Sequence, residues 1–165
     1  MKYYMGIDPG KQGSVAVIGK EVIVFPTPII EKEYDIEGMK NILLQYSPDV
    51  ETFCILERAQ AMPKQGVVSM FEFGKGYGMW LALLTSLGFK FQIVHSRTWT
   101  KKLLEGAPGE GKERNYHVAR RLFPKWNPKL KKEYQYSDSI LLAEYGRRIY
   151  DQTWNNQRRI KEERV

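Results

Sequence analysis

Short unbroken apolar runs alternate along this chain with longer stretches whose apolar residues recur at helical spacing. Tyr3 to Ile18 reads as two apolar strands joined by the turn Asp8-Pro9-Gly10-Lys11-Gln12-Gly13. Pro9 restricts Asp8 to extended backbone, and Gly10 and Gly13 suit a tight reversal. Glu21 to Phe25 reads as a third strand, stopped by Pro26 and Pro28, and Asp35 as the N-cap of a helix over Ile36 to Leu44. Thr52 to Glu57 is an apolar run of the kind buried on both faces of a sheet, and it ends in a carboxylate. A polar loop over 58–66 leads into a helical pattern from Val67 to Leu87. Gly74, Gly76 and Gly78 lie inside it, each costing up to about 1 kcal/mol against Ala. Such a helix is expected to need close approach by another helix, a partner subunit or DNA.

Phe91 to Val94 reads as a fifth strand, and a short helix begins at Trp99. After the Gly-rich loop 106–111, a helix is expected over Glu113 to Phe123, ending at Pro124. A basic connector then reaches Ser137, read as the N-cap of a last helix to about Tyr150, with a frayed charged tail beyond. The expected organisation is therefore one domain over 1–150 and a tail over 151–165, without repeats or low-complexity segments. Three strands in a meander followed by alternating helices and strands predict an α/β fold with a five-stranded mixed sheet, strand 2 antiparallel, flanked by helices. If the first and fourth strands lie side by side and parallel, Asp8 and Glu57 emerge at one edge. Two carboxylates there repel unless a cation sits between them, which predicts a divalent metal. Blander readings stand beside this one: Asp-Pro-Gly is a common turn, and Arg58 is available to pair with Glu57.

Charge sharpens the picture. The chain of 165 residues carries a net charge of +7, and the window from Lys101 to Lys132 holds ten basic and three acidic residues, the whole excess. A segregated basic zone favours a polyanionic partner such as nucleic acid. The apolar share is an ordinary 42%, and no segment has transmembrane length, so no membrane partner is expected. Cys54, the only cysteine, sits in an apolar run and reads as an inert buried thiol. With no signal peptide expected at Met1-Lys2-Tyr3-Tyr4, a cytoplasmic setting fits. His95 and His117 are too isolated to suggest a metal-ligand pair.

Three segments together resemble the RuvC family of Holliday-junction resolvases, within the ribonuclease H-like superfamily and especially its phage-encoded branch. Gly6-Ile7-Asp8-Pro9-Gly10 is similar to the family's first acidic motif. Leu56-Glu57 followed by Ala61-Met62-Pro63-Lys64-Gln65-Gly66 is similar to the second, and Asp138 to Gly146 to the third. The resemblance implies a ribonuclease H-like fold and a homodimeric endonuclease acting on four-way DNA junctions in the cytoplasm, that of the host if the gene is phage-borne. It implies two Mg2+ or Mn2+ ions per active site, with Asp8, Glu57 and Asp138 as catalytic and metal-holding residues. The family's basic residues near the scissile phosphate fall on Lys101 or Lys102 and on Lys112, with Arg114 beside them, and the loop carrying Met62, Lys64 and Gln65 faces the junction centre.

One position departs from the pattern. Members usually carry an acid three residues before the aspartate matched by Asp138, and this chain has Gln135. A carboxamide oxygen binds a cation less strongly than a carboxylate, so either the second metal site is weakened or the residue is an engineered replacement. Two functions stay open: a structure-specific endonuclease with cleavage weakened by Gln135, or a junction-binding protein with the nuclease fold and little or no catalysis. An actin-like ATPase, which also begins with a motif like Gly6 to Gly13, needs two such domains and a second phosphate loop. No nucleotide cofactor is therefore expected.

Overall fold

A computed structural model of the chain describes residues 2–46, 51–60 and 66–162, with side chains up to position 152. In chain order the strands are β1 (Tyr3–Asp8), β2 (Ser14–Ile18), β3 (Val22–Pro26), β4 (Ile29–Ile30), β5 (Glu33–Tyr34), β6 (Thr52–Glu57) and β7 (Lys90–Val94). The helices are α1 (Ile36–Leu44), α2 (Val67–Ser86), α3 (Ser96–Leu104), α4 (Gly111–Leu122) and α5 (Ser137–Glu162), with a 3-10 helix at Lys131–Tyr136. Five strands form one mixed sheet in the order β3-β2-β1-β6-β7. β2 runs antiparallel to both neighbours, while β1, β6 and β7 are parallel. This is the α/β architecture that the hydrophobic pattern predicts.

The central strands are apolar throughout because both faces are covered. Met5 and Ile7 of β1 and Cys54 and Leu56 of β6 pack with Met39 and Leu43 of α1 and Trp80 and Leu84 of α2. On the other face Ile55 packs with Trp99, Leu103, Val118, Ile140 and Leu141 from α3, α4 and α5. α5 crosses β1 at Gly6, where a β-carbon would run into the Ser139 carbonyl oxygen and the Ala143 nitrogen. A further bond between the Ser14 and Ser139 hydroxyls, 2.6 Å, ties β2 to the first turn of α5 inside the core. On the opposite face Gly76 lets α2 lie against the Pro9 carbonyl and the Tyr34 hydroxyl, whereas Gly74 and Gly78 face open space. Close approach thus accounts for one of the three α2 glycines.

Several local expectations change. Pro26 is the last residue of β3 rather than its stop, which an edge strand tolerates. The small β4–β5 hairpin was not legible, and α3 begins at Ser96, earlier than Trp99. Asp35 caps α1 as expected, its Oδ1 accepting from Gly38 N at 3.0 Å. Ser137 does not cap α5: its backbone is already helical and its hydroxyl donates to the Tyr134 carbonyl at 2.7 Å. The connector before it is partly the 3-10 helix, and α5 continues past Tyr150 to Glu162. Arg147 and Arg148 hold the buried Glu144 carboxylate, each through a 2.7 Å bond. Of the α2 aromatics, Trp80 is buried and Phe71 is 67% exposed. Among the described residues, no helix is long and apolar enough to cross a membrane.

Gly6→Ala should force α5 off β1 and lower stability by about 3 kcal/mol or more, a fall in Tm on the order of 6–12 °C. Gly74→Ala, facing open space, should leave Tm unchanged or raise stability by up to about 1 kcal/mol. Thermal melts of both variants check the contrast.

Candidate active site

β1 and β6 are parallel neighbours, Ile7 pairing with Leu56, so Asp8 and Glu57 leave the sheet together at its C-terminal edge. The Gly6 crossing brings the first turn of α5, and with it Asp138, to the same end. The Asp138 charge acts on both Asp8 and Glu57, and the Asp8 charge on Glu57. Burial, more than anything else, pushes the Asp8 carboxyl up to about 6; Lys112 pulls it down, Asp138 pushes it up, and the Gly10 backbone N–H pulls it down. That last bond gives Asp8 the turn role that Asp-Pro-Gly suggests, beside its place in the carboxylate cluster. Burial also leads in raising Glu57 to about 7, with the Asp8 and Asp138 charges adding to it. Side-chain hydrogen bonds from Ser96 and Trp99 oppose that rise, the indole Nε1 lying 3.4 Å from Glu57 Oε1. No described ion pair joins Glu57 to Arg58, which is exposed.

Asp138 is held differently. Its Oδ2 accepts from the Lys112 ammonium and its Oδ1 from Asn115 Nδ2 at 2.7 Å, so α4 engages both oxygens. Burial tends to lower the Lys112 pKa, but Asp138, with Asp8 and Glu57 behind it, outweighs burial and holds the ammonium above its usual range. Asn115 is 7% exposed, and its Oδ1 is buried without a hydrogen-bond partner. Among the described residues, no three His, Cys, Asp or Glu side chains are grouped as a ready metal-ligand set. With Asp138 turned to α4, the expected cradle exists as a cluster of like charges rather than as converging ligands. The donor set still fits a hard divalent cation: three buried or half-buried carboxylates meet one ammonium, Lys112, among the described residues, and the Asp8 and Asp138 charges add to the burial that lifts Glu57.

Gln135 is half-buried on the last turn of the 3-10 helix. The path into α5 stays helical through Ser137, so position 135 falls one turn before Asp138 on the same side. Lys112 is thus the basic residue brought to the carboxylates. Lys102 turns instead to α5, donating to Gln152 Oε1 at 3.2 Å and lying 5.7 Å from the Tyr145 ring centre, and Lys101 is exposed on the last turn of α3. Arg114 is half-buried, its Nε without a hydrogen-bond partner. Met62, Lys64 and Gln65 lie outside the described residues. His95 contacts Gln60, and His117 is an exposed neighbour of Glu113, so neither joins the cluster.

Sequence reasoning missed Ser96, Trp99 and Asn115. Asn115 carries a usable signal, because it stands three residues after Lys112 and a helix presents both on one face. Ser96 and Trp99 follow from the sheet: β7 runs parallel to β6 with Val94 opposite Glu57, so the turn that opens α3 sits beside that carboxylate.

No protein-family model matches the chain, and no curated protein sequence does. Solved structures do. The chain superposes on RuvC of Thermus thermophilus in complex with a Holliday junction substrate with a TM-score of 0.60, at 15% identity, covering 87% of this chain and 91% of that one. A second Thermus thermophilus RuvC structure gives 0.54 at 16% identity, with 89% and 96% covered. The fold is therefore that of RuvC, a ribonuclease H-like fold.

Asp8 and Glu57 both bind protons more tightly in the folded chain than their ordinary values allow. Between about pH 4 and pH 7 the folded state holds more protons than the unfolded one, so their contribution to stability falls as pH rises through that window. In metal-free buffer the double variant Asp8→Asn, Glu57→Gln should gain on the parent by a few kcal/mol between pH 4.5 and 8, as roughly 1.4 kcal/mol per pKa unit implies. Chemical denaturation across pH checks this; parallel curves for the two proteins would contradict it.

Proposed function

We propose that the chain is a divalent-metal-dependent endonuclease acting on branched DNA, four-way junctions foremost. The observation that carries the reading is the meeting of Asp8, Glu57 and Asp138 with Lys112 at one end of a RuvC-like sheet. That the Thermus thermophilus protein is seen with a Holliday junction supports the choice of substrate. Mg2+ or Mn2+ ions, two per site, held by Asp8, Glu57 and Asp138, would supply activation of a water and neutralisation of charge at the phosphodiester. The chain's own residues prepare this. Ser96 and Trp99 orient Glu57, Asn115 orients Asp138, and Lys112 provides positive charge beside the phosphate to be cut.

Gln135 tunes the reading. As a neutral donor at a position where the family usually has an acid, it weakens one ion's hold and slows cleavage without removing DNA binding. The engagement of both Asp138 oxygens by α4 favours a second reading, a junction-binding protein with little turnover. A homodimer belongs to the leading reading. What supports it is the exposed face of α2, where Val67 and Phe71 are 78% and 67% exposed and Gly74 and Gly78 face open space. A cytoplasmic setting, in an infected host if the gene is phage-borne, goes with it. Lys101, Arg114 and the loop of Met62, Lys64 and Gln65 complete the proposed DNA contacts.

Nicking of a labelled four-way junction in Mg2+ or Mn2+ separates the two readings. The parent should cut slowly, Gln135→Asp at least about tenfold faster, and Asp8→Asn not at all while still shifting the junction on a gel. A shifted band with no product from either the parent or Gln135→Asp would favour the binding protein, and wild-type cutting by Asp8→Asn would remove the site assignment. For the assembly, sedimentation should show the parent as a dimer and Gly78→Glu as a monomer.

A further inference from the structure

Beside the carboxylate cluster the surface opens into a groove of about 600 Å³ whose walls include Pro26, Trp126, Pro128, Lys129, Leu130 and Tyr136. Its place follows from register. Pro26 pairs with Ser14, and Ser14 with Asp8, so the groove lies at the same end of the sheet as the carboxylates. The offset is two strand spacings, about 10 Å. Tyr136 lies two residues before Asp138 on the opposite wall. A strand whose phosphate rests at the carboxylates would bring a neighbouring nucleotide to this groove.

The walls are built to meet a flat apolar face. Trp126 is half-buried, yet it lines the open groove. Its backbone carbonyl accepts from the Arg120 guanidinium, which also donates to the Pro124 carbonyl at 2.6 Å. Its ring packs edgewise on Tyr116 at 6.0 Å, and Tyr116 stacks on Tyr134 at 3.7 Å with the planes 8° apart. The indole is therefore fixed before any ligand arrives. Leu130, on the same groove, is 51% exposed.

Charge selects the occupant. Lys129, Lys131 and Lys132 are exposed along this edge. The one acid of the lining, Glu133, accepts from the backbone N–H groups of Lys129 and Leu130 at 2.9 and 3.0 Å. Its charge is thereby directed into the 3-10 helix terminus rather than out into the groove. Aromatic and aliphatic walls with cations along the edge suit a base that stacks and phosphates that follow it. A paired base, already stacked between its neighbours, offers no free face.

We propose that this groove takes an unpaired base of the DNA strand that runs past the carboxylates, stacked on Trp126, with flanking phosphates met by Lys129, Lys131 and Lys132. The inference deepens the nuclease reading and rests on it for the presence of DNA. It adds a subsite for single-stranded character next to the cutting position, and so a preference for branched DNA with unpaired nucleotides at the crossover.

The test measures binding of the full chain, without divalent ion, to a short labelled single strand and to a fully paired duplex of the same sequence. Trp126→Ala should lose affinity for the single strand by about 5- to 150-fold, the range for one stacked base, and lose little on the duplex. Trp126→Phe should retain most of it. Leu130→Glu, an exposed change that leaves the fold intact, should repeat the selective loss. Unchanged single-strand affinity in Trp126→Ala and Leu130→Glu, equal losses on both probes, or a parent that binds duplex but not single strand would each overturn the proposal. So would a change of oligomeric state in Leu130→Glu, which would give the groove to a second copy, or preferential binding of an acidic peptide. Junction nicking by the parent is scored separately. Nicking with no selective effect of these variants sinks the groove and leaves the nuclease reading standing.

Discussion

The contact of α5 with β1 at Gly6 is the constraint from which the site follows. Backbone meets backbone there, with the Ser139 carbonyl and the Ala143 nitrogen where a side chain would otherwise stand. Helices normally lie on a sheet at the distance their side chains impose. A glycine in the middle of a buried strand removes that spacer and lets the first turn of α5 sink toward the sheet. The Ser14–Ser139 hydroxyl pair then fixes its depth. Asp138, one residue before Ser139, is carried to the end of β1 where Asp8 emerges. A side chain at position 6 would lift the helix and separate the carboxylates, so a packing detail in the core governs the chemistry at the edge.

Bringing these groups together works against stability. Asp8 and Glu57 are raised mainly by burial and then by neighbouring carboxylates, Asp138 for Asp8 and both Asp8 and Asp138 for Glu57, so the folded chain holds them in the ionised form only at a cost. Lys112 offsets part of it, and offsets it asymmetrically, because its ammonium sits on Asp138. The far side of the turn is braced as well. Glu72 of α2 accepts from Lys11 at 2.7 Å and from Lys75 at 3.0 Å, Lys75 reaches Glu33 at 2.6 Å, and Gly76 rests on the Pro9 carbonyl. These pairs are half-exposed and individually weak. Together they hold the turn that follows Asp8 against α2, which limits how far the repelling carboxylates can relax apart.

Much of this was legible in the sequence, and the part that was not shares a cause. Unbroken apolar runs at 3–7 and 52–56 declare strands covered on both faces, and a carboxylate ending each run is conspicuous because burial disfavours it. Parallel pairing of those strands then places Asp8 and Glu57 together without further information. The partners of these groups are another matter. Asn115 and Lys112 reach Asp138 only because α4 packs on α5, and Glu144 is matched by Arg147 and Arg148 on its own helix while its burial comes from the sheet. Local signals misled for the same reason. Ser137 looks like a cap but stands where a 3-10 helix already continues into α5, so its hydroxyl turns back to Tyr134. Nor can the sequence show that α4 takes both oxygens of Asp138, because that contact depends on how two distant helices pack.

The distribution of charge resolves a conflict inherent in such a site. On the proposed function a polyanion has to approach a cluster of carboxylates that repels it. The basic window from Lys101 to Lys132 brings Lys112 to that cluster, while two acids near it have local tasks: Glu133 caps the 3-10 helix, and Glu113 stands beside His117 at 3.9 Å. Lys101, Lys129, Lys131 and Lys132 face solvent, and Lys112 pairs with Asp138. Exposed lysines attract a polyanion from a distance, while the carboxylates repel it at contact. Attraction at long range and repulsion at contact are compatible if a cation completes the site at close range. Such an arrangement favours a polyanion that arrives together with divalent ions over one that arrives alone.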